Sequence, residues 1–580
     1  MPGIRLAVLL LILCSMSWAA DPDSLVRGEQ GAKLDRHLRR LAGFGFSGVT
    51  LVARGGEVIL ARGYGLADRE KNIPMRATTV INTGSITKQF TAAAILRLEA
   101  LGRLRTEDSI ARHLPGVPED KQGITLHHLL THTAGLRSDY GPTDYEQVTR
   151  EQYLKRVFSA PLESPPGQRF EYSNAGYSLL AATIEIISGR SYEEFLRGEL
   201  FAPSGMNDTG YFTGADIPER IAQGYREGEL WGTVPGHIRQ GGRLSWNLLG
   251  NGGIQSTVWD LYRWHQALSG GRLLAAAARE KLQTPYVEEG PGAGTHYAYG
   301  WSVARTPHGR LIEHNGGNGI FAADFLRYVD ANAVVIIASN AAEYSAIAVS
   351  HTLGRLALGE EVAEPPATIG LDHSKLQALA GDYRLRGGGL LTVSATEQGL
   401  RVEAHGRDAF EALYSAAEDP NPLRRAELTE RTRKIIEANA RGDYALLKEA
   451  FGAGMDAAEI ERMENEVWSG FRQRLGQFRS VEIIGTVPAR EGLVQTYAEL
   501  HFDQGVRLLR YAWGPRGLRG IRILERLQPL EFLPTSETEF ARFDFATQQA
   551  SHIRIQGGKL TAGPPAAPVV LEKLPPAPGA

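Results

Sequence analysis

A stretch without helical or strand periodicity, residues 359–370, divides the sequence into two parts with different patterns. It contains Glu364-Pro365-Pro366, which is typical of a linker. The chain has 580 residues, whereas a single hydrophobic core stops growing at roughly 250–300 residues. The chain is therefore expected to fold as several units, the first of which spans residues 20–358.

The first twenty residues have the pattern of an export signal. Arg5 precedes a short apolar run, residues 6–13, and small residues follow up to Ala19 and Ala20. The run is shorter than the roughly 20 residues that cross a bilayer, so cleavage after Ala19 is predicted, with an uncleaved N-terminal anchor as the alternative. Residues 1–19 are thus predicted to be a signal peptide. The mature protein is expected to be periplasmic or secreted, without stable membrane insertion.

Composition excludes several classes of function. Lys and Arg total 63 against 66 for Asp and Glu, and a net charge of −3 offers no basic surface for nucleic acid. The single cysteine, Cys14, excludes a disulfide framework and a four-cysteine zinc site. Cleavage after Ala19 would remove it, and an exported chain without thiols suits an oxidising compartment.

The first unit alternates strand and helix patterns. The apolar runs 49–53 and 58–61, separated by a glycine turn, predict a β-hairpin. Residues 86–101 predict a helix, and residues 333–338 predict a buried strand near the end of the unit. The early strands and this late strand are expected to share one antiparallel sheet, with the helices between them.

After the linker the pattern changes twice. Short strands are predicted at both ends of this part, and a resemblance given below implies that they form one small β-barrel-like domain. Between them lie two long amphipathic helical stretches, 428–451 and 455–478, and then a strand meander. This order predicts an α+β insert that splits the barrel, followed by a mobile tail. The predicted ranges are 371–415 and 526–574 for the barrel, 420–525 for the insert and 575–580 for the tail.

A serine and a lysine three residues apart open the long helix of the first unit. Ser85 and Lys88 project from one helical face. A serine hydroxyl is a weak nucleophile until a base takes its proton, and a lysine whose pKa is lowered by burial can be that base. Alone, the pair also fits a capping serine and a solvated lysine. The helix has almost no other charge before Arg97, however, so it is expected to be buried. Because burying a charge is costly, a lysine on such a helix favours a functional role over a solvated one.

Two further motifs follow in the same unit. Tyr172-Ser173-Asn174 offers a phenol that can carry a proton and an amide that can orient a lysine or a carbonyl. Alone, it also fits a surface turn. His314-Asn315-Gly316-Gly317 enters a predicted edge strand, where its glycines let a substrate backbone approach closely. Alone, it also fits a hairpin with an exposed histidine.

In this order and spacing, the three motifs resemble those of the serine β-lactamases and penicillin-binding proteins, on the class C side of that family. The related hydrolases include esterases and D-amino-acid peptidases. Residues 124–136, ITLHHLLTHTAGL, are similar to the family's helix-to-loop segment, and residues 252–261, GGIQSTVWDL, to a helix start of the family. The resemblance covers roughly residues 30–355. It implies an α/β (α+β) transpeptidase-like fold with an antiparallel sheet and an all-helical lobe.

The resemblance also implies catalytic roles. Ser85 would be acylated, while Lys88 and Tyr172 would manage protons. Asn174 would hold the carbonyl region of the substrate. The backbone N–H groups of Ser85 and Gly317 would form an oxyanion hole.

His314 stands where the class C lactamases carry the lysine of a Lys-Thr-Gly motif, and together with Gly316 it is predicted to bind substrate. A lysine there is a fixed cation suited to a substrate carboxylate, whereas a histidine is only partly charged near neutrality. The departure favours an esterase or a peptidase with a less anionic substrate over a true β-lactamase.

His128 and His132 are four residues apart on a predicted helix, a spacing that zinc sites use. Leu129 stands where the His-Glu-x-x-His motif needs glutamate, so the motif fails. The resemblance explains these positions as structural. No metal and no cofactor are therefore predicted.

The C-terminal part carries a less specific resemblance. Residues 376–383 resemble the start of the small β-barrel domain that is often appended to these hydrolases, and the order of the insert resembles the cone-shaped SnoaL-like fold. Neither segment shows a nucleophile or a ligand cluster. Substrate gating, partner binding or a homodimer through this region are the expected roles, with an inert stabilising module as the alternative.

Two functions are consistent with the sequence. The first is an exported serine hydrolase that cleaves an ester or amide bond, such as that of a D-amino-acid peptide, through a covalent Ser85 acyl-enzyme. The alternative is a catalytically quiet sensor or binding protein for cell-wall fragments. The first is favoured, because a quiet relative would be expected to lose Ser85, Lys88 or Tyr172. The expected partner is a small-molecule or peptide substrate.

Overall fold

The computed structural model describes most of the chain between residues 23 and 575. The predicted signal peptide, 1–19, lies outside the described residues, as does all but the first residue of the predicted tail, 575–580. Among the described residues, no helix is both long enough and apolar enough to cross a membrane. The described ranges are 23–212, 220–241, 244–271, 273–290, 292–342, 346–415, 421–452, 457–490, 493–515, 517–564 and 568–575.

A large antiparallel sheet organises the first unit. Within the described residues, its strands are β1 Ser24–Val26, β2 Gly48–Arg54, β3 Glu57–Tyr64, β10 Val287–Glu288, β11 Thr295–Tyr297, β12 Ser302–Thr306, β13 Gly309–Gly317, β14 Ala322–Tyr328 and β15 Ala333–Ser339. Three short antiparallel pairs lie outside it: β4 Leu66–Asp68 with β5 Ile73–Pro74, β6 Ile81–Asn82 with β9 Gln255–Ser256, and β7 Gly224–Arg226 with β8 Glu229–Gly232. Within the described residues the order of the nine-stranded sheet is β1-β3-β2-β15-β14-β13-β12-β11-β10. The late strand β15 thus pairs with the early strand β2, as the sequence predicts.

Helices cover both faces of this sheet. They are α1 Gly28–Gly43, α2 Thr87–Ala100, α3 Leu126–Leu130, α4 Arg150–Ser159, α5 Asn174–Ser188, α6 Tyr192–Leu196, α7 Val234–Gln240, α8 Val258–Gly270, α9 Ala276–Gln283 and α10 Ala346–Leu358. On one face, Leu38 of α1 and Leu353 of α10 share a buried cluster with Val335 of β15. On the other face lies the larger core, which contains α2 and α5. Helix α2 is buried on every side from Thr87 to Leu96, as expected of a helix that is apolar all round.

The C-terminal part contains a closed barrel. Its elements are α11 His373–Leu379, β16 Gly381–Arg384, β17 Leu390–Ala395, β18 Leu400–His405 and α12 Arg407–Tyr414, and then β23 Leu530–Pro534, β24 Glu539–Asp544, β25 Gln549–Gln556, β26 Lys559–Ala562 and β27 Val569–Lys573. Its eight described strands close through the pairing of β16 with β27, and β18 pairs with β23 across the insert. The predicted barrel is therefore confirmed.

Between β18 and β23 the chain forms a separate α+β layer. It contains α13 Pro422–Ala440, α14 Ala445–Phe451, α15 Ala457–Leu475, β19 Phe478–Arg490, β20 Leu493–Phe502, β21 Gly505–Gly514 and β22 Gly517–Leu524. The helices pack on one face of the four-stranded sheet, with Trp468 and Trp513 at the centre of their core. The single helix predicted over 428–451 is wrong, because the chain turns between α13 and α14 at Gly442, whose φ is 80°. The SnoaL-like character of the insert stays a prediction.

The barrel also contacts the first unit. Phe543 and Phe545, at the hairpin between β24 and β25, lie in the same buried cluster as α1 and α10. Their rings are 5.8 Å from Phe44 and 6.5 Å from Phe46, centroid to centroid. The hairpin therefore packs on the face of the large sheet that is opposite α2.

Candidate active site

Ser85 lies on a short 3-10 turn, Gly84–Ile86, that leads directly into α2. The turn begins at Gly84, whose φ of 53° lies in the left-handed region that favours glycine. Gly84 and Ile86 are buried, whereas Ser85 is partly exposed. The tight turn thus presents a hydroxyl to the surface while the buried helix fixes its backbone.

Lys88 lies one helical turn after Ser85, with 0% of its surface exposed. Its Nζ is 3.1 Å from Ser85 Oγ and 2.8 Å from both Asn174 Oδ1 and the carbonyl oxygen of Asn251. The two oxygens of the asparagines can only accept hydrogen bonds. A neutral amine has two N–H donors and one lone pair. These two acceptors therefore leave the lone pair of a neutral Lys88 for the Ser85 hydroxyl.

The surroundings of Lys88 bring its pKa close to neutrality. Burial lowers the pKa of the ammonium to about 7, far below its usual value. The negative charges of Asp139 and Asp144 act in the opposite direction and raise it. Burial together with the charge of Asp139 raises the pKa of the Asp144 carboxyl in turn. Lys88 is thus a base that is partly unprotonated at neutral pH.

Asn174 is held in place from both sides of its amide. The hydroxyl of Ser173 accepts the N–H of Gly176 at 3.2 Å and so caps α5, whose first residue is Asn174. The Asn174 Nδ2 donates to Asp139 Oδ1 at 2.9 Å. Because a carboxylate only accepts, the amide nitrogen must face Asp139, and Oδ1 is left to face Lys88.

Tyr172 completes the group around Ser85. Its hydroxyl is hydrogen-bonded to Ser85, and Lys88 Nζ lies 4.8 Å from the centre of its ring. Burial raises the pKa of the Tyr172 phenol well above its usual range, although the Ser85 hydrogen bond lowers it in part. The phenol is therefore protonated at neutral pH. It can pass a proton on, but it is a poor initial base.

The ring of His132 packs against the ring of Tyr172. The two rings are tilted by 35° with centroids 4.2 Å apart, and His132 Nδ1 accepts the backbone N–H of Ser173 at 3.0 Å. His132 lies beyond the last residue of α3 and has a φ of 57°. The predicted helix that would carry His128 and His132 on one face is therefore wrong. His128 instead caps α3 through Thr125.

Strand β13 brings the third motif to Ser85. Its partner β12 ends its pairing at Glu313, so the last four residues, from His314 to Gly317, pair with β14 alone. The predicted edge strand is thus present only over this short stretch, since the rest of β13 lies inside the sheet. The open edge faces the Ser85 turn.

The glycines of this motif are required by close packing. A Cβ built on Gly316 would lie 2.1 Å from the carbonyl oxygen of Thr83 and 2.6 Å from the Ser85 nitrogen. The N–H of Asn318 donates to Phe321, and because antiparallel ladders alternate, the N–H of Gly317 points away from β14. A Cβ built on Gly84 would lie 2.3 Å from the Gly317 nitrogen, so the Ser85 turn and the end of β13 are in close contact. The oxyanion hole formed by the N–H groups of Ser85 and Gly317 stays a prediction.

His314 is buried, and both its ring nitrogens have partners. Nδ1 lies 2.6 Å from the carbonyl oxygen of Asn315, which can only accept, so Nδ1 carries the proton. Nε2 lies 2.9 Å from the hydroxyl of Tyr297, which then donates to it. Burial, and next the charge of Lys88, lowers the pKa of His314 to about 3. The sequence predicts that His314 is partly charged near neutral pH. This prediction is wrong, because the buried ring is uncharged.

A cleft opens beside these groups. A cavity of about 560 Å³ is bordered by Asn174, by the loop that carries Asp139 and Asp144, and by side chains from across the cleft. Those opposite side chains are Arg226, Trp231 and Asn318, whereas Tyr145 follows Asp144 in the loop. A substrate of moderate size can therefore bind beside Asn174, between the acidic loop and a wall that carries an arginine and an aromatic ring.

The structure thus brings together all the residues that the motifs predict, and it adds four. The carbonyl group of Asn251, the carboxylate of Asp139, the ring of His132 and the hydroxyl of Tyr297 were not predicted to act in the site. Asn251 precedes the Gly252-Gly253 pair, which was a usable signal for a close backbone approach. The other three lie in stretches without such a signal.

Known proteins resemble this chain in sequence and in fold. Residues 34–358, more than half of the chain, match the family model described as Beta-lactamase. The chain belongs to the beta-lactamase family. Penicillin-binding protein 4* of Bacillus subtilis (strain 168) is 29% identical over 394 residues, which cover 64% of this chain and 86% of that protein. Esterase EstB of Burkholderia gladioli is 36% identical over 210 residues, 33% of this chain and 52% of that protein.

A solved structure extends the likeness beyond the family domain. The octameric penicillin-binding protein homologue from Pyrococcus abyssi has a TM-score of 0.54 at 19% identity, covering 86% of this chain and 99% of that one. At this identity the likeness concerns the fold alone. Family membership and the predicted fold are confirmed, and the chain is a serine hydrolase of the class that includes beta-lactamases and penicillin-binding proteins. The predicted homodimer stays a prediction.

Proposed function

We propose that this chain is an exported hydrolase that cleaves ester or amide bonds through a covalent acyl-enzyme on Ser85. The observation that carries the proposal is the environment of Lys88. Its two acceptor partners, Asn174 Oδ1 and Asn251 O, take both N–H groups of a neutral amine, and Ser85 Oγ lies 3.1 Å away on the remaining side. A buried amine with a pKa near neutrality has its lone pair directed at a nucleophile.

Acylation begins with proton transfer. Neutral Lys88 takes the proton of Ser85 as Oγ forms its bond to the substrate carbonyl carbon. The carbonyl oxygen becomes an oxyanion that accepts hydrogen bonds from the N–H groups of Ser85 and Gly317, each worth on the order of 10²–10³ in rate. The bond from carbon to the leaving oxygen or nitrogen then breaks. The leaving group takes the proton from Lys88 through the hydroxyl of Tyr172.

Deacylation repeats these steps with water. Lys88, again neutral, takes a proton from water as the water oxygen bonds to the acyl carbon. The bond between that carbon and Ser85 Oγ breaks, and Oγ regains a proton through Tyr172. The products are a carboxylic acid and the free enzyme.

Three features favour esters and amine-bearing D-amino-acid amides over anionic β-lactams. The uncharged His314 supplies no fixed cation beside the oxyanion hole. Asp139 and Asp144 place negative charge along the cleft, which repels a substrate carboxylate and attracts an ammonium group. Esterase EstB, an esterase by name, is also among the relatives.

A substrate panel tests this proposal. The full chain is assayed with p-nitrophenyl acetate, a D-Ala-D-Ala peptide and a chromogenic cephalosporin. The intact mass is measured after incubation with a fluorophosphonate and with penicillin. We expect the ester to be cleaved at least about tenfold faster than the cephalosporin, because the uncharged His314 supplies no cation for the cephalosporin carboxylate beside the oxyanion hole. A mass that neither reagent changes would refute the acyl-enzyme.

The pH profile should report Lys88. We expect kcat/KM for the ester to rise with pH and to be half-maximal at about pH 7, because only the neutral amine has a lone pair for the Ser85 proton. Asp144 raises the pKa of Lys88, so Asp144→Asn should lower that pKa and move the midpoint to lower pH. The exposed Asp372→Asn serves as the matched control and should leave the midpoint unchanged. A midpoint that Asp144→Asn moves upwards would contradict the assignment.

A further inference from the structure

A second large cavity lies far from Ser85, between the insert and the barrel. Its volume is about 1120 Å³, at the upper end of the range for small-molecule sites. One wall is the face of the insert sheet opposite its helices. The other walls are α12 and the strands β23 to β25 of the barrel. Tyr497 of the sheet and Phe410 of α12, whose rings lie 5.2 Å apart, hold the two walls together.

The walls of this cavity carry an excess of positive charge. Its described lining residues include four arginines, Arg510, Arg519, Arg522 and Arg542, against one acidic residue, Asp544. Arg542 Nη2 lies 3.9 Å from Asp544 Oδ2. The other three arginines make no ion pair with any described residue. Because side chains of one sign repel in a confined space, this wall favours an anion.

Two of these arginines lie directly opposite each other in the insert sheet. Arg510 of β21 and Arg522 of β22 are direct cross-strand partners, and like charges in that position destabilise a sheet. The Nε of Arg510 is buried without a hydrogen-bond partner, although its side chain is hydrogen-bonded to Tyr497. A buried N–H without an acceptor costs free energy that a bound oxyanion would recover. Two guanidinium groups side by side are also the usual ligands of a carboxylate or phosphate.

Part of the cavity wall is apolar, although Gln495, Thr547 and Ser551 also line it. Leu413, Val487, Leu493 and Leu530 line it together with Ala512. Such a surface accepts the hydrocarbon part of a ligand, because its burial removes apolar surface from water. We propose that the cavity binds a small organic anion with an apolar body, its carboxylate or phosphate group held between Arg510 and Arg522. The site is independent of Ser85 and of the hydrolase function.

Calorimetric titration of the full chain with three probes tests this proposal. Decanoate carries both the anion and the apolar body, acetate carries the anion alone, and decyltrimethylammonium carries the opposite charge. We expect saturable binding of one decanoate, with the other two probes at least about tenfold weaker, since each lacks one of the two interactions. Equal binding of decanoate and decyltrimethylammonium, or no saturable binding of decanoate, would overturn the proposal.

Variants locate the site. Arg522→Gln should raise the dissociation constant for decanoate at least about fivefold, because it removes a charge-assisted partner of the carboxylate. Arg519→Gln should raise it as well, by less than Arg522→Gln, because it removes a positive charge from the cavity wall. Arg507→Gln, on the same strand as Arg510 but outside the cavity, should change it less than about twofold. Arg522→Gln should also leave the melting temperature equal or higher, because it removes a like-charge pair. Equal effects of Arg507→Gln and Arg522→Gln, or a lower melting temperature for Arg522→Gln, would contradict the proposal.

Discussion

Replacing Ser85 by alanine is expected to lower kcat/KM for p-nitrophenyl acetate by on the order of 10⁴-fold. The change removes the only atom that the proposed mechanism acylates, and the Lys88 amine then has no hydroxyl to deprotonate. Ser85 is partly exposed, and its side chain does not fill the core around α2, so the melting temperature should stay the same. Activity and thermal unfolding are measured on the same preparation.

A control and a chemical readout make this result specific. Ser159→Ala changes an exposed serine at the end of α4 and should leave kcat/KM unchanged. The fluorophosphonate adduct should appear in the mass of the wild type and of Ser159→Ala, and be absent from Ser85→Ala. Retention of more than about a tenth of the activity by Ser85→Ala would place the nucleophile elsewhere, because loss of a nucleophile costs several orders of magnitude.

The sequence predicts this site because two of its relations are local. Ser85 and Lys88 are one helical turn apart, so their contact follows from helix geometry alone. The cap of α5 by Ser173 likewise sets the position of Asn174, the next residue. Tyr172 and the strand that carries Gly316 join them only through the family resemblance, since no local rule brings together segments so far apart in sequence.

The features that the sequence does not predict depend on tertiary contacts. The carbonyl of Asn251 binds Lys88 through its backbone, and a backbone group has no residue type to recognise. The charge of His314 depends on its burial and on Tyr297, which comes from another strand. The length of free edge on β13 depends on where β12 begins, at Ser302. Each of these decides how the site works, and each is set by packing.

The C-terminal part shows the same division. Alternating strands and amphipathic helices predict the elements of this part, because those patterns reflect burial on one face. The closure of its strands into one barrel follows only from the family resemblance. Gly442 is a local signal for the turn, but the helical pattern continues on both sides of it and therefore predicts one long helix. The opposition of Arg510 and Arg522 depends on strand register, which the sequence of the two strands does not specify.

Replacing Lys88 separates the role of a base from that of a charge. Lys88→Met removes both and is expected to lower kcat/KM for the ester by about 10³-fold, the scale of a lost general base. Lys88→Arg keeps a positive charge but cannot give up a proton near neutrality, so it should be as inactive as Lys88→Met. Both variants should also lose the reaction of Ser85 with the fluorophosphonate. If Lys88→Arg instead kept most of the activity, Lys88 would act only as a cation.

The matched control for this experiment is a second buried lysine. Lys121 is 1% exposed, and its Nζ lies 2.6 Å from Asp120 in a 3-10 turn outside the site. Lys121→Met therefore tests what the loss of a buried ammonium does to the fold alone. It should leave kcat/KM and the pH midpoint unchanged. The pH dependence below about pH 7 should vanish from the residual activity of Lys88→Met, because the group that titrates there is gone. A residual profile with the same midpoint would assign that titration to another group, and with it the initial base.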